Sequence, residues 1–206
     1  MPKCNSFAIA AVSCLIAPVL QGAAPQLGEV VGDNVYTNCE FRVAAIFPGE
    51  PMIRDFTYRD GERSAPARQF YLNDDGAFFS VTVAHFADGA EEDETLVDSA
   101  AATMYRRGDL RFEESVFYDT PRIPGRQYSI VLEDGRFLRG SIYTARNRLY
   151  ITEALAAPTH VDAFKFEQSV SMIDENGTDL DGNPILATPT IGPSGGLPSR
   201  QYDCGS

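Results

Sequence analysis

Few side chains in this sequence have the types and spacing that chemistry needs. Only two histidines occur, His85 and His160. Neither lies near a Cys or in a spacing that assembles a zinc site. His85 runs in phase with Val81 and Val83, which reads as a core or strand-end histidine. His160 falls in the first turn of an expected helix and reads as solvated. Gly192-Pro193-Ser194-Gly195-Gly196 has the form of a nucleophile elbow. That serine needs a strained strand-to-helix turn, and here it lies in a Pro/Gly-rich stretch. The best metal candidate is the run 174–183, in which Asp174, Asn176, Asp179 and Asp181 offer oxygen ligands at the close spacing calcium favours. The EF-hand spacing and its terminal Glu are missing, and Asn-Gly and Asp-Gly also mark ordinary turns. No nucleophile–base pair stands in a credible context, so no catalytic residue, cofactor or firm metal site is assigned.

Two further groups bear on function. Aromatic and arginine residues interleave at Arg126, Tyr128, Arg136, Phe137, Tyr143, Arg148 and Tyr150. On adjacent strands these could form a face for a partner or an anionic ligand. The plainer reading, which we prefer, is a sheet face with Arg lying over aromatic stems. The second group is cysteine. Cys4 and Cys14 fall in the first 24 residues, leaving Cys39 and Cys204. One pair in an oxidising compartment suggests one disulfide, with free thiols and intermolecular pairing as the alternatives.

The compartment follows from residues 1–24. Lys3 gives a positive start, an apolar stretch runs from Phe7 to Leu20, and Gly22, Ala23 and Ala24 are small. This is the pattern of a cleavable secretory signal, with cleavage expected after Ala23 or Ala24. An uncleaved anchor and a lipoprotein box ending at Cys14 are the competing readings. The apolar run is short for a membrane span, which needs roughly 20 residues. Export implies a periplasmic or secreted protein with no integral span after cleavage. The formal net charge of −12 becomes −13 when Lys3 is removed, which argues against nucleic acid as a partner.

The elements that would position these residues are mostly strands. Residues 25–38 read as a polar lead-in. Phe41, Val43, Ala45 and Phe47 then alternate, and strands are expected over Ile53–Tyr58, Arg68–Leu72 and Ala77–Phe86. Asn73-Asp74-Asp75-Gly76 is a hairpin turn. Acidic Glu91–Glu94 followed by Leu96, Val97, Ala100, Ala101 and Met104 predicts a helix closed by Arg106-Arg107-Gly108. Strands resume over Ser115–Tyr118, Arg126–Leu132, Phe137–Ala145 and Leu149–Leu155. Thr159 with Asp162 then resembles a capping box, opening a helix with Ala163, Phe166 and Val170 on one side. Residues 173–206 are a Pro/Gly-rich tail with no packing pattern.

This order, with particular stretches, resembles the bacterial exported relatives of the PsbP-like superfamily. The stretches are FRVAAIFPGEP at 41–51, FFSVTVAHFADG at 78–89, IPGRQYSIVLEDGR at 123–136, RLYITEALAAP at 148–158 and AFKFEQSV at 163–170. They span roughly residues 40–172, about two thirds of the chain. The resemblance implies an α+β fold: one twisted antiparallel sheet of six to eight strands with two helices packed on it. The division expected is signal peptide 1–24, lead-in 25–38, PsbP-like domain 39–172 and tail 173–206. The better-known members, an extrinsic subunit of photosystem II and a partner of a nuclear-transport GTPase, are non-catalytic. The expectation is therefore a non-catalytic binding or assembly module, whose partner is another envelope protein or a small ligand. A hydrolase with an unrecognised site, or a small-ligand or calcium carrier, are the alternatives.

Overall fold

A computed structural model describes residues 29–31, 35–87, 93–119, 122–180, 202 and 204. The expected signal segment and most of the expected tail lie outside these residues. The described chain is α+β. Its elements are β1 (Glu29–Val31), β2 (Val35–Asn38), β3 (Val43–Ile46), β4 (Met52–Asp60), β5 (Arg63–Asp74), β6 (Ala77–His85), α1 (Glu94–Tyr105), β7 (Asp109–Asp119), β8 (Arg122–Val131), β9 (Phe137–Ala145), β10 (Arg148–Ala156), α2 (Val161–Ser169) and β11 (Ser171–Met172).

The main sheet has seven antiparallel strands in the order β4-β5-β6-β10-β9-β8-β7. Its middle strand, β10, is buried along its whole length. Alternation on β6 behaves as the pattern predicts. Phe79, Val81 and Val83 enter one core with Tyr150, Ala154 and the α2 residues Ala163 and Phe166. Leu149, Ile151 and Leu155 point the other way, onto Leu96, Val97, Ala100 and Ala101 of α1. Each face of the sheet therefore carries one helix. The hairpin turns are the kind that match strand twist. Asp75 and Gly76 have φ of 40° and 79°, and Arg146 and Asn147 have φ of 48° and 60°.

A second, four-stranded sheet departs from the single-sheet expectation, with order β1-β2-β3-β11. The polar lead-in supplies β1 and β2, and Val35 and Tyr36 are buried. β11 reaches back to pair Ser171 with Ala44 and Met172 with Val43. The expected tail likewise contributes core: Ile173, Leu180 and Tyr202 are all buried.

Other boundaries shift for local reasons. β7 and β8 form one long hairpin, because Pro124 sits within β8 opposite Phe117 without ending the pairing. α1 is capped by Asp93, whose side chain accepts the Leu96 N–H at 3.0 Å. Gly108 does not adopt the left-handed cap; it passes close against the Val131 carbonyl of β8, with Ile130 Cγ2 2.9 Å from where a Cβ would stand. α2 starts from His160 with no side-chain cap, so the Thr159–Asp162 capping box does not form.

Candidate functional site

The residues of the interleaved Arg/aromatic group do not share a face. Tyr128 pairs with Gly140 and is buried on the α1 side. Its hydroxyl donates to the Thr152 carbonyl at 3.2 Å. Arg126 also points to α1, where it pairs with Asp98 at 2.6 Å. Arg136 stands at a hairpin tip and pairs with Asp134 at 2.7 Å. Tyr143, Arg148 and Tyr150 lie on the opposite face, where the two tyrosines are core. Only this last group adjoins anything unusual.

Arg148 is 9 % exposed. It donates from Nη1 to the Arg146 carbonyl at 3.2 Å, and no carboxylate pairs with it among the described residues. Its direct partner across the sheet is His85. Two more arginines close the group. Arg146 occupies the β9–β10 turn, and Arg42, with φ of 57°, occupies the turn from β2 to β3. The Arg42 carbonyl accepts from Ile173 N–H at 3.0 Å and from the Tyr150 hydroxyl at 3.4 Å. That turn is thereby fixed to both sheets.

The charges confirm how close these groups lie. Burial lowers the Arg148 pKa, and Arg42 and Arg146 push it the same way. His85 is exposed to solvent on one side, yet local burial first, then Arg148 and Arg42, hold its imidazole below the usual range. Burial raises the Tyr150 phenol to about 12 against the pull of the same arginines. Among the described residues, Glu175 is the acid that pairs with the cluster. Its Oε2 lies 2.8 Å from Arg146 Nη1 and 3.2 Å from Arg42 Nη1.

Glu175 belongs to the stretch read as a calcium candidate. There Asp174 Oδ1 accepts the N–H groups of Asn176 and Thr178, each at 2.8 Å. That carboxylate closes its own turn, and these bonds with the nearby Arg146 charge lower its pKa even though burial opposes them. Asp179 is buried, and Asp181 lies outside the described residues. Among the described residues no three His, Cys, Asp or Glu side chains converge as a metal site would need. The turn is secured from behind by the Tyr202 N–H, which donates to the Gly177 carbonyl at 2.8 Å. Cys39 and Cys204 form a disulfide, with Cα atoms 5.5 Å apart. The bridge ties the turn carrying Arg42 to the turn carrying Glu175.

A second polar cluster lies on the α1 face and is structural. Arg107, just past α1, pairs with buried Glu153. Ser80 also donates to Glu153, at 3.4 Å, and Gln69 donates to Ser80 and Thr82. Ser80 is fully buried, so its hydroxyl meets no substrate. Arg107→Met should cost about 2–3 kcal/mol, because the buried Glu153 carboxyl would be left without its cation. Chemical denaturation measures this, and a loss below about 0.5 kcal/mol would show Glu153 to be solvated.

No family model, curated protein or solved structure matches this chain. The Arg42–Arg146–Arg148–His85 group was therefore found from geometry alone. Sequence reasoning reached Arg148 and His85 separately. Arg146 falls between two expected strands, and nothing local marks Arg42.

Proposed function

We propose that this chain is an exported, non-catalytic binding module that holds an anionic ligand on Arg148, His85, Arg42 and Arg146. The single observation that carries the reading is Arg148, a nearly buried guanidinium with no carboxylate partner among the described residues. A cation in that state is costly, and neighbouring arginines add repulsion. A ligand carboxylate, sulfate or phosphate would relieve both, and the planar fork suits such groups. Export is supported by the signal-like residues 1–24 and by the Cys39–Cys204 bridge. No helix among the described residues is long and apolar enough to cross a membrane. The PsbP-like resemblance of residues 40–172 belongs to the same proposal, since the better-known members of that superfamily are non-catalytic.

Calorimetry with sulfate at low ionic strength tests the reading. Wild type should bind, and Arg148→Met should lose binding while unfolding at the same temperature or higher. Removing a repelled, unpaired charge should stabilise the fold by up to about 1 kcal/mol. An Arg148→Met protein that binds sulfate as wild type does, or one that is clearly destabilised, would return Arg148 to a structural role.

The cluster also sets a pH dependence. His85 titrates below its ordinary value of about 6.5 in the free protein. A bound anion favours the imidazolium and raises that pKa. Affinity should therefore increase as pH falls through the window between the bound and free values, and level off on either side. Each unit of rise gives about tenfold. The charged groups facing His85 are Arg148 and Arg42 and, through Arg42, Glu175. Sulfate stays ionised throughout this range, so His85→Gln should flatten the profile; an unchanged slope would assign it elsewhere.

A further inference from the structure

We infer that the ligand is a dicarboxylate and that Glu175 is an internal occupant of one of its two subsites. This rests on the anion-binding reading above and names the chemistry of that site. Glu175 Oε2 accepts from both Arg42 and Arg146, at 3.2 and 2.8 Å. Those two guanidiniums are thus already arranged around a single carboxylate oxygen. Both stand on left-handed backbone, with φ of 57° and 48°. Neither is a glycine, so the geometry is held by the surroundings at some cost. The Arg42 turn is fixed by Ile173 N–H, and the Arg146 turn by Phe86 N–H, which donates to the Asn147 carbonyl at 2.9 Å.

The occupant is poorly anchored compared with its receptors. The Glu175 side chain is 59 % exposed. Its turn is closed by Asp174 and Gly177 rather than by its own carboxylate. Glu175 can rotate into solvent without unfolding anything, whereas Arg42 and Arg146 remain in place. An incoming carboxylate would take over the same two donors.

The second subsite is the Arg148 fork. It is joined to the first, since Arg148 Nη1 donates to the Arg146 carbonyl at 3.2 Å, with His85 at its rim and the Tyr150 ring beside it. Glu175 pairs with Arg42 and Arg146 and leaves Arg148 without a carboxylate. A monocarboxylate can satisfy one subsite only. A molecule with two carboxylates on a short link satisfies both, and its second contact forms at high effective concentration. Displacing Glu175 opposes binding only at the Arg42–Arg146 subsite, so Glu175 weakens the dicarboxylate, while a monoanion can take the open Arg148 subsite without displacing it.

Calorimetry on the full disulfide-bonded chain at pH 6.5 and fixed ionic strength, with succinate, acetate and sulfate as probes, tests this. Succinate should bind wild type at least about tenfold tighter than acetate. Glu175→Gln, a surface change that leaves the turn intact, should tighten succinate by about tenfold, and acetate, which takes the open Arg148 subsite, by much less. Arg148→Met should bring succinate down to the level of acetate. Equal binding of succinate and acetate by wild type, or a succinate affinity that Glu175→Gln leaves unchanged or weakens, overturns the inference. If sulfate still binds in that case, the anion site stands without its dicarboxylate preference. If no probe binds either wild type or Glu175→Gln, the anion-binding reading falls as well.

Discussion

Gly140→Ala should destabilise the protein by about 3 kcal/mol, lowering Tm by about 10 °C for a chain of this size. Gly140 sits on β9 between β10 and β8. A Cβ there would run into the Thr152 carbonyl of β10 and stand 2.7 Å from the Tyr128 Oη and 2.9 Å from its Cζ. The Tyr128 ring is buried across the glycine because no side chain fills that position. Backbone cannot retreat in a middle strand paired on both sides. Tyr128→Phe combined with Gly140→Ala should recover only a minor part of the loss, because the tighter contact is with backbone. Differential scanning calorimetry reads the effect. A Tm within about 2 °C of wild type would mean that β9 shifts away from β10 with little resistance.

Cys204→Ser should cost about 3–5 kcal/mol. The bridge spans a sequence separation of 165, and in the chain-entropy model a loop of that length contributes up to about 5 kcal/mol. The loss should be local in structure. The bridge packs beside Val35, Ala44, Ile173 and Tyr202, on the side of the small sheet away from the core around Phe79, which the two sheets share, and far from the core around Leu149, which belongs to the large sheet and α1. Hydrogen exchange should show β2, β3 and β11 losing protection while β6, β9 and β10 keep theirs. Uniform loss across both sheets would show that the small sheet has no independent opening transition. Unchanged stability would show that the bridge forms after the fold is complete and constrains nothing.

Sequence reasoning located the elements whose signals are local. The Phe79–Val83 alternation, the Asp75-Gly76 turn and the Leu96–Ala101 spacing of α1 each rest on a handful of adjacent residues. What it missed depends on pairing between distant segments. Tyr128 and Tyr143 both look like members of one Arg/aromatic face, yet Tyr128 faces Gly140 while Tyr143 faces Gly125. Those pairings put the two rings on opposite sides of the sheet, and register is set by the partner strand rather than by the strand itself. The small sheet was hidden for the same reason. β1, β2 and β11 are 3, 4 and 2 residues long, too short for a period to register. The candidate anion site combines both difficulties. Its members come from β6, β10 and two separate turns, and only the folded arrangement brings Arg42 to Arg146.

The pairing of β11 with β3 also fixes an order of assembly. In a chain delivered amino end first, β4–β5–β6 and β7–β8–β9–β10 each pair in chain order, and the two halves join through β6 and β10 once β10 is complete at Ala156. β3 has no such option on its second edge. Val43 and Ala44 wait for Ser171 and Met172, so an apolar strand edge stays open until the last strand arrives. Open edges of that kind recruit other chains. A chain ending at Val170 should therefore keep its large sheet yet self-associate through β3. The final strand of this fold, only two residues long, acts as the stopper that keeps one molecule from templating on the next.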